Sequence, residues 1–310
     1  MNTEFWTMTA NILVATFRMA TPLILSSLGL VYTARAGMSN LGTEGLMLIG
    51  AFVAAVGSFL TGSALLGVLM AIAGGILMEL IVSFLAINVR ANQIIVAMAT
   101  NLLAQGVTSI FGRAIFGISG EKITIPMLQN IAIPWLSKLP IIGDELFNNN
   151  ILFYLAYLLL PVSAFILTRT TIGLKVRVVG ENPKAADTVG VNVYTVRRCC
   201  CLARGAFAAL AGAYLALGVI GVFSENMIAG KGYMSVSVTI FGKWMPLGSL
   251  LGALLFGFGE TLQLRIQAIG WTIPYQALQA FPYLITLILL TGVVGRTRQP
   301  AATGKPYIKD

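Results

Sequence analysis

Histidine is absent from this chain of 310 residues, which removes the commonest metal ligand, general base and pH sensor. Cysteine is confined to one run, Cys199, Cys200 and Cys201. Adjacent thiols suit neither a zinc site nor a disulfide framework, and they read as small apolar residues at the start of a helix. Charge is sparse: 10% of the residues are Asp, Glu, Lys or Arg, against about 25% in a soluble domain. No Gly-x-x-x-x-Gly-Lys-Ser/Thr phosphate loop occurs, because Thr303-Gly304-Lys305-Pro306 and Gly230-Lys231-Gly232 share only its Gly-Lys pair. The first residues, Met1 to Trp6, lack the basic stretch of a signal peptide, so no cleaved leader is expected. Strand alternation, heptads and repeats of 20–50 residues are not visible either.

What is abundant is apolar surface. Hydrophobic residues make up 57% of the chain and mean hydropathy is +0.86. Such a chain cannot cover a globule with polar groups, so its solvent must be mostly lipid. The 33 glycines fit closely packed membrane helices. Spans of about 20 apolar residues are expected at Ala91–Gly112, Leu146–Thr168, Gly205–Ser224 and Ile266–Gly295. Gly45–Met78 is too long for one crossing, and Thr61-Gly62-Ser63 divides it, the second helix running past Glu79 to Asn88. A first span covers Ala10–Thr33 and carries Arg18, expected to snorkel to the nearer interface. Between Met227 and Glu260, Lys231, Lys243 and Trp244-Met245-Pro246 interrupt the pattern. A short segment at Gly232–Phe241 and a second at Leu247–Gly259 are expected there, the broken type of helix found in transporter pathways. The chain reads as an all-α, polytopic membrane protein of about nine crossings (eight to ten), including one short or broken helix pair.

The net charge of +9 reads as a cytoplasmic excess of Lys and Arg, not as a nucleic-acid surface. Arg169, Lys175, Arg177, Lys184, Arg197 and Arg198 place the loop 169–198 in the cytoplasm, and Arg296, Arg298, Lys305 and Lys309 place the tail 296–310 there. The near-balanced loop Arg113–Asn149 should face outward. These sides agree only for an odd number of crossings with the N-terminus outside. One membrane domain, 1–310, contains both cytoplasmic segments.

Within that loop Asn182 suits a helix N-cap, Pro183 the first helical position and Gly190 the position past the end. Ala185, Ala186 and Val189 give the short helix an apolar face, and Lys184, Asp187 and Thr188 the other. Physical chemistry alone leaves two readings open, an interfacial helix on lipid and a knob for a groove on a partner.

The string Gly180-Glu181-Asn182-Pro183-Lys184-Ala185-Ala186 with Gly190-Val191 resembles the coupling loop of bacterial ABC importer permeases, in the branch of branched-chain amino acid, ribose and nucleoside permeases. Ala34 to Phe52, with Arg35, Gly37, Asn40-Leu41-Gly42, Glu44-Gly45 and Gly50-Ala51-Phe52, is similar to a signature of the nucleoside and simple-sugar permeases. Arg90-Ala91-Asn92-Gln93 with Asn101-Leu102-Leu103 resembles a third family stretch. Ala34, Ser39, Thr43 and Lys243-Trp244-Met245-Pro246 depart from the pattern. The resemblance implies an importer subunit with no cofactor of its own. It also implies a second permease (a related chain), cytoplasmic ATP-binding subunits that hydrolyse ATP, an extracytoplasmic substrate-binding protein, and a bacterial cytoplasmic membrane. It assigns Gly180, Glu181, Asn182, Pro183, Lys184, Ala185, Ala186 and Gly190 to coupling.

Polar groups inside spans are costly and are functional candidates by default. Asn92, Gln93, Asn101 and Gln105 lie on one helix, and Asn101 and Gln105 share a face. Their amides suit a neutral polar solute or interhelical bonds. Glu44 is expected beside the pathway or paired with Arg35, and Glu260 paired with Arg265. Glu79 stands ten residues before Arg90, about 15 Å along a helix, as a pathway or pair candidate. Gly212 with Ala216 and Gly248 with Gly252 are expected packing faces, at a subunit interface. Phe153, Tyr154 and Tyr157 suit an interfacial belt. A stand-alone secondary transporter is the alternative, with Glu79 as its coupling-ion carboxylate. A membrane-embedded enzyme lacks convergent catalytic groups.

Overall fold

A computed structural model describes residues 2–39, 41–117, 124–133, 146–268, 280, 284 and 299–309. The apolar runs form helices α1 (Asn2–Arg35), α2 (Thr43–Thr61), α3 (Ala64–Ser83), α4 (Gln93–Phe116), α5 (Ile151–Arg169), α6 (Thr171–Glu181), α7 (Pro183–Thr188), α8 (Val193–Ala213), α9 (Lys231–Phe241) and α10 (Pro246–Ala268). Helices α3 and α8 continue as π-helical turns, Phe84–Asn88 and Tyr214–Ile220. Among the described residues seven helices are long and apolar enough to cross a membrane: α1 to α5, α8 and α10. The expected ninth crossing, Ile266–Gly295, lies almost wholly outside them.

The break at Thr61-Gly62-Ser63 is where expected. Gly62 closes α2 in the left-handed region, at φ 68°, where only glycine sits without a Cβ penalty. The seventh crossing is unusual. After α8 the chain turns at Gly221 and Glu225 pairs with Arg113 near the end of α4. It then runs through an irregular segment to Gly230 and into α9, eleven residues long. Asn226, Ala229, Gly230, Lys243 and Trp244 all have positive φ, so left-handed residues build both breaks around α9.

Helix α8 is the central post. Of its apolar window 78% is buried, against 33% for α4 and α5, and it packs on α1, α2 and α3. Glycine permits the approach. A Cβ on Gly50 would stand 2.3 Å from the Cα of Ala209, and one on Gly212 would stand 2.0 Å from the carbonyl oxygen of Met47. Gly212 thus packs α8 on α2 within one chain, and Gly248 packs on Gly242. Both pairs are packing faces as expected, and these contacts lie within the subunit.

Other expectations are corrected. The sixth crossing starts at Val193, earlier than Gly205, so Cys199–Cys201 lie two turns inside α8. The Asn192 side chain caps that start by accepting from the Thr195 N–H. Two short antiparallel strands, β1 (Asn130–Ala132) and β2 (Asn148–Asn150), pair in the outward loop, where alternation over three residues is too brief to read. Arg18 is exposed, as a snorkelling side chain would be, and donates to Asn149 of the outward loop at 2.7 Å. Glu260 pairs with Lys231 instead of Arg265, because α9 runs beside α10. Phe153 is buried and its ring lies tilted against that of the half-buried Tyr157, whose hydroxyl donates to the Phe17 carbonyl.

Overpacking a core costs roughly 1–3 kcal/mol, and here the clash is with backbone. Gly212→Val is therefore expected to lower the melting temperature of the detergent-solubilised protein by several degrees. Gly106→Ala, with nothing within 4 Å of the added methyl, should leave it level or slightly higher. Equal midpoints for both would show that α8 does not bear on α2.

Candidate substrate pathway and coupling site

Two helices begin beside each other, and one carboxylate stands in the first turn of one and at the open end of the other. Glu44 is the second residue of α2. Its Oε1 accepts the N–H of Gly230 at 2.8 Å and its Oε2 the N–H of Gly232 at 2.7 Å, which are the open donors at the start of α9. A carboxylate there also offsets the positive end of the helix dipole. Glycine is required at 232, since a Cβ would lie 2.5 Å from Glu44.

The opposite end of α9 is held by Arg35, whose Nε and Nη2 donate to the carbonyls of Trp244 and Lys243 at 2.7 and 3.1 Å. The expected Glu44–Arg35 pair is thus replaced. Each charge goes to the end of α9 that its sign suits, because α9 lies between them.

Asn101 ties α4 to this junction. It is buried; its Oδ1 accepts from the Gly45 N–H at 2.8 Å, and its amide nitrogen donates to the Leu41 carbonyl and the Tyr233 hydroxyl. Gln105, one turn on, is exposed, since Asn101 stands at the edge of a buried stripe with Ala97, Ala104 and Thr108. Gln93 is buried and accepts the Ser39 N–H at 2.6 Å. Asn92 caps α4 by accepting from Ile94. Tyr233 escaped the sequence reading; its signal was an aromatic residue directly after Gly230-Lys231-Gly232 in a broken span.

Glu79 is fully buried and forms a two-pronged pair with Arg204 at 2.7 and 2.8 Å. The pair joins α3 to α8 beside a small void, also lined by Gln93 and Cys201, with room for about one water. Removing one partner of a buried pair costs ~3–5 kcal/mol.

On the basic side, α7 is built as expected. The Asn182 side chain accepts from the Ala185 N–H at 3.1 Å, and Gly190 has φ 82°. Its apolar residues divide, however. Ala186 faces inward onto Val179, Val193 and Tyr307, while Ala185 and Val189 are exposed, Val189 by 74%. A helix of six residues is too short to present them on one face. Gly180 serves close packing: a Cβ there would lie 2.0 Å from the Arg35 carbonyl oxygen. Lys184 is exposed, and Glu181 accepts a long bond from Ala301 at 3.4 Å.

The tail straps this region. Ala302 donates to the Gly180 carbonyl and Gly304 to that of Gly37. Arg197 donates to the carbonyls of Ala36 and Lys305, Tyr307 stacks near Tyr194, and Lys309 reaches Asp187 at 3.5 Å. A groove of about 490 Å³ runs between the tail and Glu181, Pro183 and Lys184. On the other side, Arg113 hydrogen-bonds the Glu225 carboxylate and holds it below the usual carboxylate range. A lowered value means that this anchor is present at neutral pH and is lost only as pH falls through that value.

Membrane-crossing helices, one of them broken beside a buried polar junction, with a capped helix displayed on the basic side, define a multi-pass transport subunit. The match of residues 12–294 to the branched-chain amino acid transport system / permease component family makes this chain a member of it. It is 38% identical to the guanosine ABC transporter permease protein NupQ of Bacillus subtilis over 95% of each chain. It is 36% identical to the nucleoside ABC transporter permease protein NupC of Lactococcus lactis over 94% of each. The putative glucose ABC transporter permease protein TsgC13 of Haloferax volcanii is 35% identical over 93% of each.

Glu79→Met or Arg204→Met alone is expected to cut the amount of folded protein in membranes severely, and the double variant to recover a large part. Single variants with wild-type abundance and melting temperature would refute a structural pair. A tail ending at Gln299 should leave the protein in the membrane but expose the loop 171–190 to proteolysis at least severalfold faster; an unchanged rate would show that the tail does not strap it.

Proposed function

We propose that this chain is the membrane subunit of an ATP-driven importer in a bacterial cytoplasmic membrane, carrying nucleosides between itself and a second, related permease. The observation that carries the reading is α7: a helix capped at both ends, buried on one side by Ala186 and exposed on the other at Lys184, Ala185, Thr188 and Val189. A partner groove would receive that side. In this reading Gly180, Glu181, Asn182, Pro183, Lys184, Ala185, Ala186 and Gly190 form the docking loop of a cytoplasmic ATPase, and ATP is bound and hydrolysed there and not on this chain. An extracytoplasmic binding protein delivers the solute.

The energy of ATPase closure reaches the membrane through packed backbone. Gly180 rests against the Arg35 carbonyl, and Arg35 holds the end of α9. Movement of α7 is thereby transmitted to the broken crossing, where two arrangements of packed elements give alternating access. Glu44, Glu79, Asn92, Gln93, Asn101 and Gln105 divide into supports and lining. Glu44, Glu79, Gln93 and Asn101 hold the junction through the bonds described, Asn92 caps α4, and Gln105 faces the open side. The nucleoside reading is supported by relatives named for guanosine and nucleosides; a hexose is the second reading, favoured by the relative named for glucose. The secondary-transport alternative loses its coupling-ion group, since Glu79 is neutralised by Arg204.

The test is reconstitution with the ATPase, the second permease and the binding protein, following uptake of labelled guanosine and glucose. ATP-dependent guanosine uptake is expected. Ala185→Trp should leave assembly of the two permeases intact yet lower uptake at least tenfold and weaken retention of the ATPase. Uptake by this chain alone under an ion gradient, without ATP, would overturn the reading, and full uptake by Ala185→Trp would remove α7 from coupling.

A further inference from the structure

Tyr233 sits in the first turn of α9 with 49% of its surface exposed. Its hydroxyl accepts a hydrogen bond from the Asn101 amide at 2.8 Å, so the ring is fixed at its far end and cannot swing freely. Asn101 in turn is bound to Gly45 and Leu41. Asn101 and Gly45 are buried, and about half of the Tyr233 residue remains open. This is a rigid, preorganised surface.

Its depth excludes an interfacial role. Asn101 lies eight residues into α4, about 12 Å from the helix start, beyond the zone where tyrosines anchor at headgroups. The neighbouring strip of α4 carries Gln105, exposed, about 18 Å from the same start. A primary amide at the middle of a span would forfeit its hydrogen bonds against hydrocarbon, so Gln105 calls for a polar neighbour beside the exposed, apolar Leu102. Met98 flanks it, and Ser237, one turn beyond Tyr233, extends the polar edge.

We propose that the open ring of Tyr233, pinned by Asn101, is the platform on which the base of a nucleoside stacks during passage, with the Gln105 amide reading the base edge. The proposal rests on the nucleoside reading above. An aromatic face suits any nucleobase, because every base has a π face, and an amide offers one acceptor and two donors to its edge. A site that stacks one planar ring and presents few fixed polar groups selects the class of ligand more than the particular base.

The test uses the complete reconstituted complex, with 8-azidoguanosine as photolabel and guanosine uptake as a parallel readout. Labelling is expected on the peptide containing Tyr233, blocked by excess guanosine and not by ribose. Tyr233→Leu should reduce that labelling and the uptake rate at least fivefold. Tyr233→Phe, which keeps the ring and drops the hydroxyl, should retain most of both. Guanosine-protected labelling confined to another chain, or uptake by Tyr233→Leu within twofold of wild type, would overturn the stacking site while nucleoside import stands. A wild-type complex that imports glucose and not guanosine would instead overturn the nucleoside reading and this inference with it. Half exposure of the side chain makes both variants compatible with folding, and equal melting temperatures check this.

Discussion

A short helix set between two irregular breaks must have its open end groups satisfied by protein partners. Helix α9 meets this constraint with two charges of opposite sign. The Glu44 carboxylate takes the amides of Gly230 and Gly232, and the Arg35 guanidinium takes the carbonyls of Lys243 and Trp244. Both residues come from the segment around the α1–α2 turn. The broken crossing is therefore held at each end by one short stretch of chain, and its position follows that stretch. The irregular approach to α9 and the left-handed residues at its ends are tolerable because these bonds over-determine them.

The same α1–α2 segment is fixed from the other side. Arg204 donates to the Ser39 carbonyl while pairing with Glu79, and Gln93 receives the Ser39 N–H. Gly37 accepts from Gly304 of the tail, and Gly180 lies against Arg35. Helix α8, the loop with α6 and α7, and the tail thus converge on one turn whose far side controls α9. In the proposed coupling, a rigid junction of this kind would pass a movement of the loop on to α9. Close-packed interiors shift between discrete arrangements and do not deform continuously.

Much of this was legible in the sequence, for reasons of scale. Span positions follow from runs of apolar residues longer than any soluble helix needs, and the breaks at Gly62 and around Lys231 follow from residues that cannot continue a span. The capped helix at Pro183 was readable to the residue, since Asn182, Pro183 and Gly190 each have one local task. Pairings were less legible. Glu44 and Arg35 are near in sequence and opposite in charge, which suggests an ion pair; only the placement of α9 between them shows that each has a better partner. Glu79 and Arg204 are distant in sequence, and Arg204 sat in a segment that seemed to precede the sixth span. The start of α8 at Val193 is hidden in the sequence by the basic residues of its first turns, which read as loop. They are helical, and their arginines find Ala36, Lys305, Asn88 and Glu79.

The polar residues of the membrane interior carry a further lesson about reading sites. Amides and carboxylates in a span announce that something must be satisfied there, but not whether by protein or by solute. The structure separates the two by counting bonds. Asn101 and Gln93 are buried with protein partners, and Glu44 and Glu79 have both oxygens engaged. Groups so occupied hold shape. Gln105 and about half of Tyr233 are open among the described residues, and an open amide at that depth calls for a polar neighbour. A transport site has to bind weakly enough to release, so a solute is better met by a few open groups on a rigid frame than by a dense set of bonds. The arrangement around α9 fits that form: its strong interactions are internal.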